Sequence, residues 1–103
     1  MRVSIRPRNM TADESLRSRI DQCLKTTLDP VRGYLEGVDV YLTDVNGTRG
    51  GLDKHCRVVA RVPASRPVVA SYTGQDPVAV VAWAAATCRR SVRTLFKRRR
   101  GRG

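Results

Sequence analysis

The sequence predicts a two-layer α+β domain in the order β-α-β-β-β-α, with two helices packed on one face of a four-stranded sheet. Three observations predict it. Two segments, one towards each end, carry apolar residues at helical spacing, and the segments before and between them alternate apolar and polar residues as half-buried strands do. Turn residues separate the central segments closely enough to make three consecutive antiparallel strands the simplest arrangement. The chain has 103 residues, 41% of them hydrophobic and 28% charged, which suits one modest core better than a disordered basic protein.

Each element follows in order. Residues 2–6 alternate, with Val3 and Ile5 on one side, and Pro7 ends this short strand. Thr11 and Glu14 form a capping box, and Leu16, Ile20, Cys23, Leu24 and Leu28 then recur at helical spacing, giving a first helix over about residues 12–28 that Asp29 and Pro30 stop. Val38, Val40 and Leu42 alternate with Asp39, Tyr41 and Thr43 in the next strand. Asn46-Gly47 and Gly50-Gly51 make residues 46–52 a hairpin loop. The chain returns with Cys56, Val58, Ala60 and Val62 facing inward and His55, Arg57, Val59 and Arg61 outward, and a turn over residues 63–67 leads to a strand at about 68–73.

Asp76-Pro77 starts the second helix, Asp as N-cap and Pro at the first helical position. At about 100° per residue, Val78, Val81, Ala85, Cys88, Val92, Leu95 and Phe96 form its core stripe. Arg89, Arg90, Arg93 and Lys97 fall on one flank, while Thr87, Ser91 and Thr94 occupy the other. Trp83 points away from the stripe, on one helical face with Arg90. Residues 1–97 are expected to form the domain and residues 98–103 a basic, disordered tail.

Charge indicates the class of partner. The formal net charge is +11, no acidic residue follows Asp76, and eight of the twenty Lys and Arg lie between Arg89 and Arg102. Such an excess attracts a polyanion and makes affinity salt-dependent. The cations expected to contact RNA are Arg89, Arg90, Arg93, Lys97, Arg98 and Arg100, with Arg6 and Arg8 flanking Pro7 where a short loop would present them beside the second helix, and Arg49 in the glycine loop. Gly47, Gly50 and Gly51 around Arg49 either form an amide-lined anion nest or serve turn geometry alone. Arg2, Arg6, Arg57 and Arg61, with Tyr41 and His55 near them, belong to the sheet face opposite the core; that face either meets RNA or is an ordinary polar face. Trp83 is a stacking platform, a partner contact or an isolated surface aromatic.

Enzymatic and metal chemistry find no support in the pattern. Cys23, Cys56 and Cys88 all fall on inward faces, and the alternation puts the single His55 on the other side of the sheet from Cys56. A zinc site, a His–Cys nucleophile pair and a CxxC redox motif are all unsupported, so no cofactor, no metal and no catalytic residue is expected. The N-terminus lacks the apolar run of a signal peptide, and nowhere do eighteen apolar residues occur together. A soluble cytoplasmic monomer is expected, with neither a membrane nor a small-molecule substrate as partner.

The element order, together with DVNGTRGGLDKHCRV over residues 44–58, resembles the ribosome hibernation-promoting factor family, also called ribosome-associated inhibitors and sigma-54 modulation proteins. The resemblance covers nearly the whole chain, including Asp76 before Val78, Val81, Ala85, Cys88 and Val92 in the second helix. It implies a protein that binds the small ribosomal subunit and its rRNA, in the channel used by messenger and transfer RNA, and blocks translation when growth slows. The chain departs from the long members of that family in ending at Gly103, without their C-terminal dimerisation domain, and ribosome pairing by that route is not expected. It departs from the well-studied short members in carrying its cations as Arg89, Arg90, Arg93 and Lys97 instead of a Lys-rich pattern earlier in the helix. Two rival readings are a general double-stranded RNA-binding module, which has a related α-β-β-β-α layout, and a protein-interaction adaptor working through Trp83. A small enzyme is a third.

Overall fold

The structure is a computed structural model that describes residues 1–45 and 53–101, with side chains described through Arg98. Its elements are β1 (Arg2–Arg8), α1 (Glu14–Leu28), a 3-10 turn (Asp29–Tyr34), β2 (Gly37–Asp44), β3 (Lys54–Arg61), β4 (Val68–Gly74) and α2 (Pro77–Gly101). The expected α+β order is the observed one. The hairpin loop expected at 46–52, and Arg49 with it, lies outside the described residues.

The strands form one mixed sheet in the order β1-β2-β3-β4. β2, β3 and β4 are antiparallel, with Val40 opposite Val58 and Val58 opposite Ala70. β1 runs parallel to β2, Val3 beside Val38 and Ile5 beside Val40, which requires a crossover that α1 supplies. Pro7 does not end β1. It sits in register with Leu42, tolerated because β1 is an edge strand and a missing N–H there costs no ladder bond when it faces outward. Arg17 covers part of this edge by donating from Nη1 to the Ile5 carbonyl at 3.4 Å and from Nε to that of Ala12 at 3.1 Å.

Both helices pack on the same face. Val38, Val40 and Leu42 of β2, Cys56, Val58 and Ala60 of β3, and Ile20, Leu24 and Leu28 of α1 are all fully buried there, together with Val81, Ala85, Cys88 and Val92 of α2. Val80 and Ala84 are also buried, which a single stripe did not anticipate. The reason is that α2 touches α1 on one side and both β3 and β4 beneath, so its buried arc is wider than one helix-to-sheet contact would make it. Gly74 allows this closeness, since a Cβ there would lie 2.8 Å from Val80 Cγ1. Val78, Leu95 and Phe96 are only half-buried, and Phe96 finishes the core by stacking on Tyr34 with ring centroids 4.0 Å apart.

The helix starts differ in detail from the pattern. Asp13, not Thr11, caps α1, its Oδ1 accepting from the Leu16 N–H at 2.8 Å. A carboxylate both satisfies the free N–H and complements the positive end of the helix, so it displaces the start two residues along. Asp76 caps α2 as its position indicated, accepting from the N–H of Val78 at 2.9 Å and of Ala79 at 3.5 Å. Downstream, α2 continues to Gly101, so Arg98 and Arg100 belong to helical backbone. No helix among the described residues is long and apolar enough to cross a membrane.

Candidate nucleic-acid interface

The cations of α2 divide into two groups along its outer surface. Arg93 and Lys97 are exposed and, with Pro30, Val31, Tyr34 and Phe96, line a shallow cleft of about 340 Å³ between α2 and the 3-10 turn. Arg89 lies on the same side but half-buried, its Nη1 donating to the Thr27 carbonyl in the last turn of α1 at 3.2 Å. A guanidinium against the carbonyl end of a helix is favourably placed, so Arg89 ties the two helices together and holds Arg93 at a fixed offset from the 3-10 turn. Its Nε is buried with no hydrogen-bond partner among the described residues, a cost set against what the Thr27 bond contributes.

Arg90 departs from the flank on which angular position puts it. Its Nη2 donates to Thr87 Oγ1 at 3.2 Å, which turns the guanidinium towards β4. There, with Arg66 and Arg98, it lines a second cleft of about 420 Å³ that Ser65, Ser91 and Thr94 also border. Arg66, in the turn between β3 and β4, was not singled out from sequence, and only the tertiary fold brings it to α2. That turn holds Ala64 at φ 59°, with the Ser65 N–H bonding the Val62 carbonyl at 3.2 Å. Arg100 is in the last turn of α2, beyond the described side chains.

Arg6 and Arg8 are not beside α2. β1 is the sheet edge remote from β4, and the parity that sends Val3 and Ile5 to the core sends Arg2, Arg6 and Arg8 to the open face. There Arg6, Tyr41, Arg57 and Ser71 make one cross-strand row. Arg61 on this face pairs with Asp39 at 3.6 Å, and His55 Nδ1 lies 3.0 Å from Thr73 Oγ1. The sheet thus separates two basic surfaces, one on the helices and one on the open face.

Cys56 and Cys88 are buried, as their inward faces indicated, whereas Cys23 is only half-buried. Burial pushes the Cys56 thiol up to about 12, with Cys88 and Cys23 adding to the rise, and burial pushes Cys88 up to about 11 against a lowering backbone hydrogen bond. Cys56 and His55 face opposite sides of the sheet. No group of three or more His, Cys, Asp or Glu able to hold a metal occurs among the described residues.

Trp83 is 54% exposed, as its angular position required. It sits beside Tyr72, the centroids 6.1 Å apart and the rings tilted by 58°. Tyr72 escaped notice in the sequence because its alternation assigns it to the helix side of β4, where a core residue would be expected; β4 is the sheet edge, so the ring leans over α2 instead.

Comparison with known proteins gives fold and nothing closer. No family model matches the chain, and no curated protein does. Among solved structures, a ribosomal subunit interface protein from Coxiella burnetii matches with TM-score 0.79 and 13% identity, over 94% of this chain and 99% of that one. The N-terminal domain of Protein Y from Thermus thermophilus matches with TM-score 0.70 and 15% identity, over 92% of this chain and 99% of that one. The resemblance carried by the sequence is thus matched in three dimensions: this chain has the fold of a ribosomal subunit interface protein and of the Protein Y N-terminal domain.

Proposed function

We propose that this chain is a non-catalytic ribosome-binding protein of the hibernation-promoting factor family, which occupies the messenger and transfer RNA channel of the small subunit and blocks translation. The cytoplasm is then its place of action, and rRNA its direct partner. One observation carries the reading: the exposed Arg90, Arg93, Lys97 and Arg98 stand on the outer surface of one helix, in a chain with no acidic residue after Asp76. Guanidinium and ammonium groups at that density favour a phosphate backbone, which A-form RNA presents by shape more than by sequence. The fold shared with a ribosomal subunit interface protein supports the ribosome as the source of that polyanion. The buried, protonated Cys56 and its separation from His55 support a binding role over a catalytic one.

Sedimentation of a cell extract through a gradient tests this. The wild-type protein is expected in the small-subunit and whole-ribosome fractions, and a variant with Arg90, Arg93 and Lys97 changed to Glu in the free fractions. A wild-type protein found only in the free fractions refutes the proposal. Equal affinity for a naked RNA duplex and for the small subunit would favour the general RNA-binding module instead.

A further inference from the structure

We infer that the cleft between Tyr72, Trp83 and Arg90 takes a single unpaired nucleobase of an RNA strand, whose phosphates lie along Arg90, Arg98 and Arg66. This inference rests on the RNA-binding reading and adds to it a site for a base face. The cleft measures about 360 Å³ and is lined by Tyr72, Trp83, Ala86 and Arg90. Much of the indole is open to solvent, and the Tyr72 ring stands 6.1 Å from it, tilted by 58°.

One hydroxyl holds the cleft in shape. Thr87 Oγ1 donates to the Trp83 carbonyl at 3.1 Å, lies 3.1 Å from the Tyr72 hydroxyl, and accepts from Arg90 Nη2 at 3.2 Å. A hydroxyl has one proton to give and two lone pairs to fill. With its proton on the Trp83 carbonyl, Thr87 accepts from both Tyr72 and Arg90, and its capacity is complete. The tyrosine hydroxyl and the guanidinium are therefore anchored to the same atom before any ligand arrives. Preorganisation of this kind lowers the ordering cost of binding.

Charge selects the occupant. Arg90 is shared with the adjacent cleft that holds Arg66 and Arg98, so the aromatic faces lie next to a cationic track. A strand that follows the track places a base over Trp83. A duplex does not, because its bases already stack on one another and offer no free face. A second copy of this chain is disfavoured, since each copy carries a net charge of +11.

Trp83 is the only tryptophan, so its fluorescence reports this cleft alone. The protein is titrated with a short single-stranded oligoadenylate, with a blunt-ended, fully paired RNA duplex and with inorganic polyphosphate. The expected result is quenching by oligoadenylate, with polyphosphate and the duplex binding without it. Trp83→Ala is expected to weaken oligoadenylate binding about 5- to 140-fold, to leave polyphosphate binding unchanged, and to be rescued by Trp83→Phe. Oligoadenylate binding with neither quenching nor a loss in Trp83→Ala overturns the inference, as does equal quenching by polyphosphate. A concentration-dependent dimer lost in Trp83→Ala, without quenching by RNA, also overturns it and assigns the cleft to self-association. Failure of the wild type to bind polyphosphate or RNA at all marks instead the failure of the RNA-binding reading itself.

Discussion

Replacing Arg93 and Lys97 together by Gln removes two charges from the exposed surface of α2 without disturbing the core, and its consequence is calculable. Four exposed cations, Arg90, Arg93, Lys97 and Arg98, are described on this helix. If each neutralises one phosphate, these four contribute about −2.8 to −3.6 to the slope of the logarithm of affinity against the logarithm of salt. The double variant makes the slope shallower by about 1.4 to 1.8, whatever further cations such as Arg66 contribute. Because the two lines converge near 1 M salt, the variant binds about 25- to 60-fold more weakly at roughly 0.1 M. The assay is an equilibrium titration of isolated small ribosomal subunits at several salt concentrations. Arg89→Ala is the internal control. Its guanidinium is engaged with Thr27, so its loss should leave the slope unchanged and lower stability by about 1–3 kcal/mol. A double variant with the wild-type slope, or an Arg89→Ala slope reduced as much as that of the double variant, refutes the assignment of charges to phosphate.

Other consequences can be checked on the isolated protein. The folded chain keeps the Cys56 and Cys88 protons up to about 12 and about 11, while the unfolded chain releases them from 9.0. Between those values the folded state binds more protons, so stability is fully present below pH 9 and falls as pH rises above it, by at most about 1.4 kcal/mol per unit per thiol; denaturant unfolding across that range checks it. Under native conditions near neutral pH a thiol alkylating reagent should modify the half-buried Cys23 before either of the other two, as mass spectrometry would show. Asp76→Ala frees the N–H groups of Val78 and Ala79 and should cost about 1 kcal/mol, lowering Tm by about 4–8 °C. Ala64→Gly relieves a left-handed backbone and should raise Tm, with a gain on the order of 0.5 kcal/mol.

Much of the fold was legible because alternation and helical spacing are local signals. Val38, Val40 and Leu42, and Cys56, Val58 and Ala60, announced their buried faces directly, and Asp76-Pro77 announced α2. What alternation could not supply was the neighbour of β1, since Val3 and Ile5 would bury equally well beside any strand. Its place at the edge parallel to β2 depends on α1 crossing over the sheet, and this moved Arg6 and Arg8 to the face remote from α2. The site was legible to the level of a helical flank. The turning of Arg90 towards Thr87, and the approach of Arg66 and Tyr72 to α2, depend on contacts between residues far apart in the chain, which no periodicity encodes.

The length of α2 has a mechanical consequence. Its 25 residues span about 37 Å, against about 23 Å for a seven-residue strand, and among the described residues neither Lys97 nor Arg98 belongs to the hydrophobic core. The domain consequently carries a rod longer than its strands, with Lys97 and Arg98 in its distal part. A recess too tight for the globular body is still within its grasp, and inserting a rod already wound sacrifices far less chain freedom than threading in a loose filament.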